Sequence, residues 1–287
     1  MNSNIKEFKD TRSIIRKGKY EKGNKEVILK LNRSQNSEAI YLSENEIKLL
    51  YVKEEFKNRK YYDNCKITVS NKDSFEAARD IQRDISDKEE KVLVLNFANA
   101  THSGGGVRRG ARAQEEDLCR KSTLLFSLES DDASKYYACH KKYKEIIASH
   151  GMIVSPNVEI IKDTNYELLD ETKIVSVLTC AAPINTNHIS QIILEDDYEV
   201  LLYDRIKYML FIAAYLGYKH LVLGAWGCGA FSNDAELIAR LFKKALEEPC
   251  IGNISVKNYF KTIEFAVLCK SKNTYNYDCF QKVFSYN

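Results

Sequence analysis

Residues 92–123 read Val-Leu-Val-Leu-Asn-Phe-Ala-Asn-Ala-Thr-His-Ser-Gly-Gly-Gly-Val-Arg-Arg-Gly-Ala-Arg-Ala-Gln-Glu-Glu-Asp-Leu-Cys-Arg-Lys-Ser-Thr. Val92–Leu95 is an aliphatic run without alternation, the pattern of a parallel strand covered on both faces. The chain then turns over Asn96 and Asn99 and reaches Gly104, Gly105 and Gly106. Glycine admits positive φ and lets other groups approach without a Cβ in the way. The acids Glu115, Glu116 and Asp117 follow at the expected start of a helix. In open α/β sheets, ligands sit in loops of this kind, at the carboxyl ends of strands.

Working outward, strands are expected at Lys66–Ser70, Lys91–Phe97, Lys173–Leu178, His220–Leu223 and Thr262–Leu268. Two short ones are expected at Met152–Val154 and Val158–Ile161. Helices are expected at Ser74–Ile85, Gln114–Leu128, Tyr198–Leu216, Asn233–Leu246 (capped by Asn233 and Glu236) and Tyr275–Phe284. This alternation predicts a mixed sheet flanked by helices. Before it, residues 1–64 read as helix, strand and helix. Val27-Ile28-Leu29 have strand character, and Ser43 with Glu46 forms a capping box ahead of the helical run 47–56. No linker composition separates this piece, so it is expected to be an accessory extension packed on a core of residues 65–287.

Composition narrows the class. With 287 residues and 44% apolar content, a substantial core is available. The net charge of +3 does not mark the whole chain as a nucleic-acid binder. Residues 1–64 carry 15 Lys+Arg against 10 Asp+Glu, so nucleic acid keeps thin support there beside the plainer reading of a solvated lysine-rich surface. No membrane segment is expected: the stretch Val200–Leu216 is interrupted by Asp204, Arg205 and Lys207. The first residues, Met1-Asn-Ser-Asn-Ile-Lys, lack the apolar region of a signal peptide. None of the eight cysteines forms a Cys-x-x-Cys pair, which fits free thiols in a cytoplasmic protein. Cys139-His140 has no partner pair at a zinc-like spacing, so no metal is expected.

The run Gly104-Gly105-Gly106, seven residues, then Gln114-Glu115-Glu116 resembles the signature of the microbial-type poly(ADP-ribose) glycohydrolases, a branch of the macrodomain superfamily. Leu221-Val-Leu-Gly-Ala-Trp-Gly-Cys-Gly-Ala-Phe231 is similar to that family's diphosphate-binding loop. The resemblance runs from about Cys65 to Phe280. It implies a macrodomain-like three-layer α/β/α sandwich with a mixed sheet, here with an N-terminal helical extension. It also implies hydrolysis of ADP-ribose polymers or ADP-ribosylated targets without a cofactor. The acid/base role then falls on Glu116, and Glu115 holds the ribose or orients Glu116. Asn99 and Gln114 join the glycines in fixing the distal ribose, and Gly227, Cys228, Gly229, Ala230 and Phe231 take the diphosphate side.

Read from the residues themselves, each assignment has a plain competitor. Acids in a first helical turn also offset the helix dipole. Adjacent helical residues point about 100° apart, so Glu115 and Glu116 do not flank one bond as a glycosidase pair does, and a single catalytic glutamate is the sensible mechanism. The resemblance implies that Asp73 meets an adenine amino group, and capping the next helix is the competing reading. Phe231 packs on the ligand or in the core, while Trp226 reads as core. Cys228 between two glycines suggests a nucleophile, but no histidine is tied to it. His102 reads as a solvated loop residue. Arg108, Arg109 and Arg112 make the loop unusually basic, suited to phosphates or merely solvated. A catalytically silent ADP-ribose reader is the alternative class, and it has no need of Gln114-Glu115-Glu116.

Overall fold

A computed structural model describes residues 3–53, 61–87, 89–143, 147–186, 193–251, 254–269 and 273–285. Its strands are β1 Lys19–Lys22, β2 Lys25–Ile28, β3 Ile40–Leu42, β4 Lys66–Ser70, β5 Val92–Phe97, β6 Met152–Lys162, β7 Leu168–Cys180, β8 His220–Leu223, β9 Pro249–Ile251, β10 Ile254–Ser255 and β11 Thr262–Ala266. Two compact units emerge. The first comprises residues 1–42, 96–145 and 152–181, and the second residues 43–95, 146–151 and 182–287.

In the first unit β3, β6 and β7 pair antiparallel. Instead of two short strands, β6 is one continuous strand with a register shift between Ser155 and Val158. Pro156, which has no N–H to give the ladder, lies in that irregularity. Its carbonyl is taken by the Ser176 hydroxyl at 2.9 Å. The single helix expected over Gln114–Leu128 is two, Gln114–Lys121 and Leu124–Leu128. Between them Ser122 is extended and bridges Ile160, while the Thr123 N–H donates to the Glu159 carbonyl at 3.1 Å. Pairing with β6 therefore outcompetes one turn of helix. A helix over Asp131–Tyr143 was not anticipated. Its buried face is Ala133, Tyr136, Tyr137 and His140, a helical spacing written mostly in residues with polar tips.

The N-terminal helix Ser3–Lys17 and the β1–β2 hairpin belong to this unit. Ile14, Tyr20, Val27, Leu29 and Ile161 form a buried cluster. Lys162, 1% exposed, is paired with Glu7 at 2.9 Å and Asp10 at 2.8 Å. The Thr11 hydroxyl donates to the carbonyl of Arg120, in the last turn of the helix that begins at Gln114.

The second unit holds the parallel strands. Val92–Val94 of β5 pair with β8, β8 with β11, and β11 with β4. Parallel pairing here and antiparallel pairing in the first unit make the chain mixed α/β, as the sequence predicts. The core includes Trp226, Phe242, Phe265, Phe280 and Phe284, with Phe265 and Phe284 stacked at 4.4 Å. A helix over Glu44–Val52 starts at Ser43, whose capping box with Glu46 forms as expected. Residues 54–56 of that predicted helix lie outside the described residues. None of the described helices is long and apolar enough to cross a membrane.

One cap was misplaced. The helix Ala235–Glu247 is capped by Asp234, which accepts from the Leu237 N–H at 2.7 Å. Asn233 is instead buried and ties down the preceding loop. Its Nδ2 donates to the Pro183 and Gly227 carbonyls at 2.9 and 3.2 Å, and its Oδ1 accepts from the Tyr198 hydroxyl at 2.6 Å. Removing the side chain strands the Tyr198 hydroxyl and the Pro183 carbonyl, while Gly227 keeps the Asn233 N–H at 3.0 Å, so Asn233→Ala is expected to cost about 2–4 kcal/mol. Urea unfolding measures this. A variant within about 0.5 kcal/mol of wild type contradicts the role.

Candidate active site

The chain leaves β5 through Asn96 and Phe97 and folds over Asn99. The Asn99 Oδ1 accepts from the Thr101 N–H at 2.9 Å, the Thr101 hydroxyl at 3.1 Å and the His102 N–H at 2.8 Å. This local turn delivers the chain to the glycines. Gly104 and Gly105 have φ of +67° and +56°, a region L side chains seldom adopt. Space is as tight as the backbone is special. A Cβ on Gly104 would lie 2.7 Å from Leu125 Cδ1, and one on Gly105 would collide with Glu116 Oε1 and lie 3.0 Å from Glu115 Oε2. Both carboxylates thus converge on Gly105.

The glycine N–H groups are occupied. That of Gly106 donates to Glu116 Oε1 at 2.8 Å, that of Gly105 to the His102 carbonyl at 3.0 Å, and that of Gly104 to Glu115. Two of the three glycine N–H groups thus hold the glutamates. Gln114 does similar work, with its Oε1 accepting from the Phe97 N–H at 2.9 Å.

Glu115 and Glu116 are both buried, at 2% and 6% exposure, but their surroundings differ. Glu115 is saturated: Oε2 accepts from the Asn99 N–H at 2.8 Å and Oε1 from Asn96 Nδ2 at 3.2 Å. Burial pushes its pKa up to about 8 against these donors, and the neighbouring Glu116 charge adds to the rise. At neutral pH Glu115 therefore favours its protonated form. Glu116 has one oxygen fixed by Gly106, while its Oε2 is buried with no hydrogen-bond partner among the described residues. Of the pair's four carboxylate oxygens it alone has no hydrogen-bond partner among the described residues.

Asn96 is a member that sequence reasoning passed over as a turn residue. It also donates to the Thr179 hydroxyl at 3.1 Å. Its signal is a fully buried amide at the end of an aliphatic strand. The helix behind the pair is equally well anchored. Asp117 accepts from Lys121 at 2.7 Å and from the Tyr166 hydroxyl, which in turn accepts from Arg120 Nε at 3.1 Å.

The second unit holds the other predicted residues. The loop after β8 turns at Gly227, φ +76°, where a Cβ would lie 2.6 Å from Asn233 Nδ2 and 2.7 Å from Ala182 Cβ. Gly229 has open space around it, and both Gly229 and Ala230 are exposed. Phe231 is half-buried, its carbonyl accepting from the Asn185 N–H at 2.8 Å. Trp226 is fully buried core, as predicted. Burial pushes the Cys228 thiol far above its ordinary range, which removes it as a nucleophile. Asp73 caps the helix Ser74–Asp84, Oδ1 accepting from the Phe75 and Glu76 N–H groups at 2.9 Å each. Of its two readings, the cap is the one observed. The His140 of the Cys139-His140 pair bonds the Tyr136 carbonyl at 2.8 Å, and no group of three metal-ligating side chains occurs among the described residues.

Comparison with known proteins supplies the family. Crystal structures of the poly(ADP-ribose) glycohydrolase from Thermomonospora curvata superpose with a TM-score of 0.88 at 29% identity, covering 99% of this chain and 100% of that one. The same enzyme bound to the inhibitor ADP-HPD gives 0.85 at 29% identity, with the same coverage. The Deinococcus radiodurans enzyme in complex with ADP-ribose gives 0.76 at 31% identity over 88% of this chain and 96% of that one. No curated protein matches the chain significantly. The model of the microbial-type PARG catalytic domain matches residues 9–163, so it takes in most of the N-terminal extension as well as the glycine loop and both glutamates. The chain belongs to the microbial-type poly(ADP-ribose) glycohydrolase family.

Proposed function

We propose that this chain hydrolyses the glycosidic bond of the terminal ADP-ribose unit in ADP-ribose polymers or on ADP-ribosylated targets, with Glu116 as the general acid and base. The observation that carries the reading is the Glu116 carboxylate, pinned through Oε1 and left with an orphaned Oε2. Glu116 Oε2 gives a proton to the oxygen leaving the anomeric carbon, and the C–O bond breaks. The ring becomes oxocarbenium-like, stabilised by the substrate's own diphosphate. Glu116, now ionised, takes a proton from a water whose oxygen bonds the same carbon, and ADP-ribose is released. Glu115 positions the site: it fixes the turn through the Asn99 N–H. The solved relatives were captured with ADP-ribose or an inhibitor, which supports ADP-ribose as the ligand of this chain. A silent reader would need no such pair. The free state of all seven described cysteines supports a cytoplasmic setting.

Three outcomes are expected. Glu116→Gln keeps ADP-ribose binding by calorimetry and loses turnover by about a thousandfold in a release assay. Turnover near that of wild type contradicts the assignment. Gly105→Ala places a methyl group on both carboxylates and is expected to lower turnover by about a hundredfold through misplacement. Full activity would show that the tight approach is dispensable.

The third outcome concerns pH. The Glu115 carboxyl has an ordinary value of 4.5 and here about 8. Below about 4.5 it is protonated in folded and unfolded chains alike. Between 4.5 and 8 only the folded chain keeps the proton, so its contribution to stability falls as pH rises, levelling off above 8. Denaturant midpoints measured from pH 5 to 9 are expected to show this slope in wild type and a flatter one in Glu115→Gln. Equal slopes contradict it.

A further inference from the structure

The helix Gln114–Lys121 buries three more charged side chains behind its two glutamates. Asp117, Arg120 and Lys121 are 7%, 1% and 1% exposed. Buried charges persist where partners meet them. Asp117 accepts from Lys121 Nζ at 2.7 Å with one oxygen and from the Tyr166 hydroxyl with the other. Arg120 Nε donates to that hydroxyl at 3.1 Å, and its Nη1 donates to the Ala111 carbonyl at 2.6 Å. The Tyr166 ring lies 5.7 Å from the guanidinium and 5.2 Å from the Lys121 ammonium. All of these residues belong to the first unit.

The Ala111 carbonyl leads back to the catalytic pair. The Ala111 N–H donates to the Gly106 carbonyl at 3.2 Å, and a Cβ on Gly106 would lie 2.8 Å from Ala111 Cβ. Gly106 and Ala111 are thus the two ends of one tight turn, and the Gly106 N–H donates to Glu116 Oε1 at 2.8 Å. Glu116 and Arg120, four residues apart, share a face of the helix. That face therefore grips the turn twice, through Glu116 at Gly106 and through Arg120 at Ala111. Tyr166 aims the second grip. Its backbone has φ of +64°, a region a tyrosine seldom adopts. The turn that carries it is fixed by Asp163 Oδ1, which accepts from the Asn165 and Glu167 N–H groups at 2.8 and 2.9 Å. Such a conformation persists where its surroundings over-determine it, and it clusters at functional sites.

We infer that Arg120, aimed by Tyr166, is a positioning residue for Glu116: it holds the Gly106–Ala111 turn down on the helix and so fixes the plane of the Glu116 carboxyl. The inference rests on the hydrolase reading above and deepens it. Neither residue faces substrate, and both act through the turn. A lysine could keep the charge of Arg120 but not the planar fork that reaches Tyr166 and Ala111 together.

The test follows ADP-ribose release from poly(ADP-ribose) alongside amide exchange at Gly106 read by NMR. Tyr166→Phe keeps the ring and removes the hydroxyl that joins Asp117 to Arg120. Its kcat is expected to fall about tenfold with KM within about twofold of wild type. Arg120→Lys is expected to lose about thirtyfold in the same way. In both, the Gly106 N–H is expected to exchange about tenfold faster. Tyr20→Phe is the structural comparison: it removes a hydroxyl that donates to the Leu169 carbonyl at 2.7 Å in the same unit, outside the grip. Its kcat stays within about twofold of wild type. Tyr166→Phe decides alone if Arg120→Lys does not fold. Unchanged kcat, unchanged Gly106 exchange, a loss carried by KM, or an equal kcat loss in Tyr20→Phe each overturns the positioning role and leaves the hydrolase reading in place. A wild-type protein that releases no ADP-ribose overturns the hydrolase reading, and Gly106 exchange still decides whether Arg120 holds the turn.

Discussion

The structure of the site depends on a backbone loop folded down on two buried carboxylates. Burying an acid is unfavourable unless donors meet it. The chain supplies them from its own main chain, the N–H groups of Asn99, Gly104 and Gly106, with Asn96 as the one side-chain donor. Such donors cannot rotate away, so the carboxylates are held without side-chain entropy to fight. The cost is geometric. The loop must come within van der Waals contact of the acids at positive φ, and glycine is the residue that permits both.

Around that contact the rest of the first unit acts as a brace. The helix of Glu115 and Glu116 is closed at its far end by Thr11 on the Arg120 carbonyl and by the Asp117–Lys121–Tyr166 group. The Asn4 amide reaches the Gly110 carbonyl at 3.0 Å, just past the glycines. The N-terminal helix therefore supports the catalytic loop directly, and the family match accordingly begins as early as residue 9. In the sequence this segment is only a lysine-rich amphipathic stretch, and nothing local announces that its Thr11 and Asn4 serve backbone carbonyls more than a hundred residues away.

Much of the rest was legible. The apolar run of β8 falls at its observed limits, because a strand covered on both faces admits little else, and β4 also falls at its expected limits although none of its residues is buried. The glycines and Glu116 are visible as a motif, but the hydrogen bond from the Gly106 N–H to Glu116 is not. A glycine loop before an acidic helix reads as an anion cradle or a surface turn, and nothing local announces that its N–H groups reach the acids themselves. Asn233-Asp234 offers two capping residues in succession, and tertiary demand for a buried amide beside Tyr198 and Pro183 leaves the cap to Asp234.

The buried site turns on Glu115, whose carboxyl is kept protonated at neutral pH by burial, against its donors. Carbon-detected NMR titration of the glutamate carboxyls reads this directly. The account predicts one carboxyl resonance that titrates near pH 8 and disappears in Glu115→Gln. A spectrum in which every glutamate carboxyl is ionised by pH 6 contradicts it.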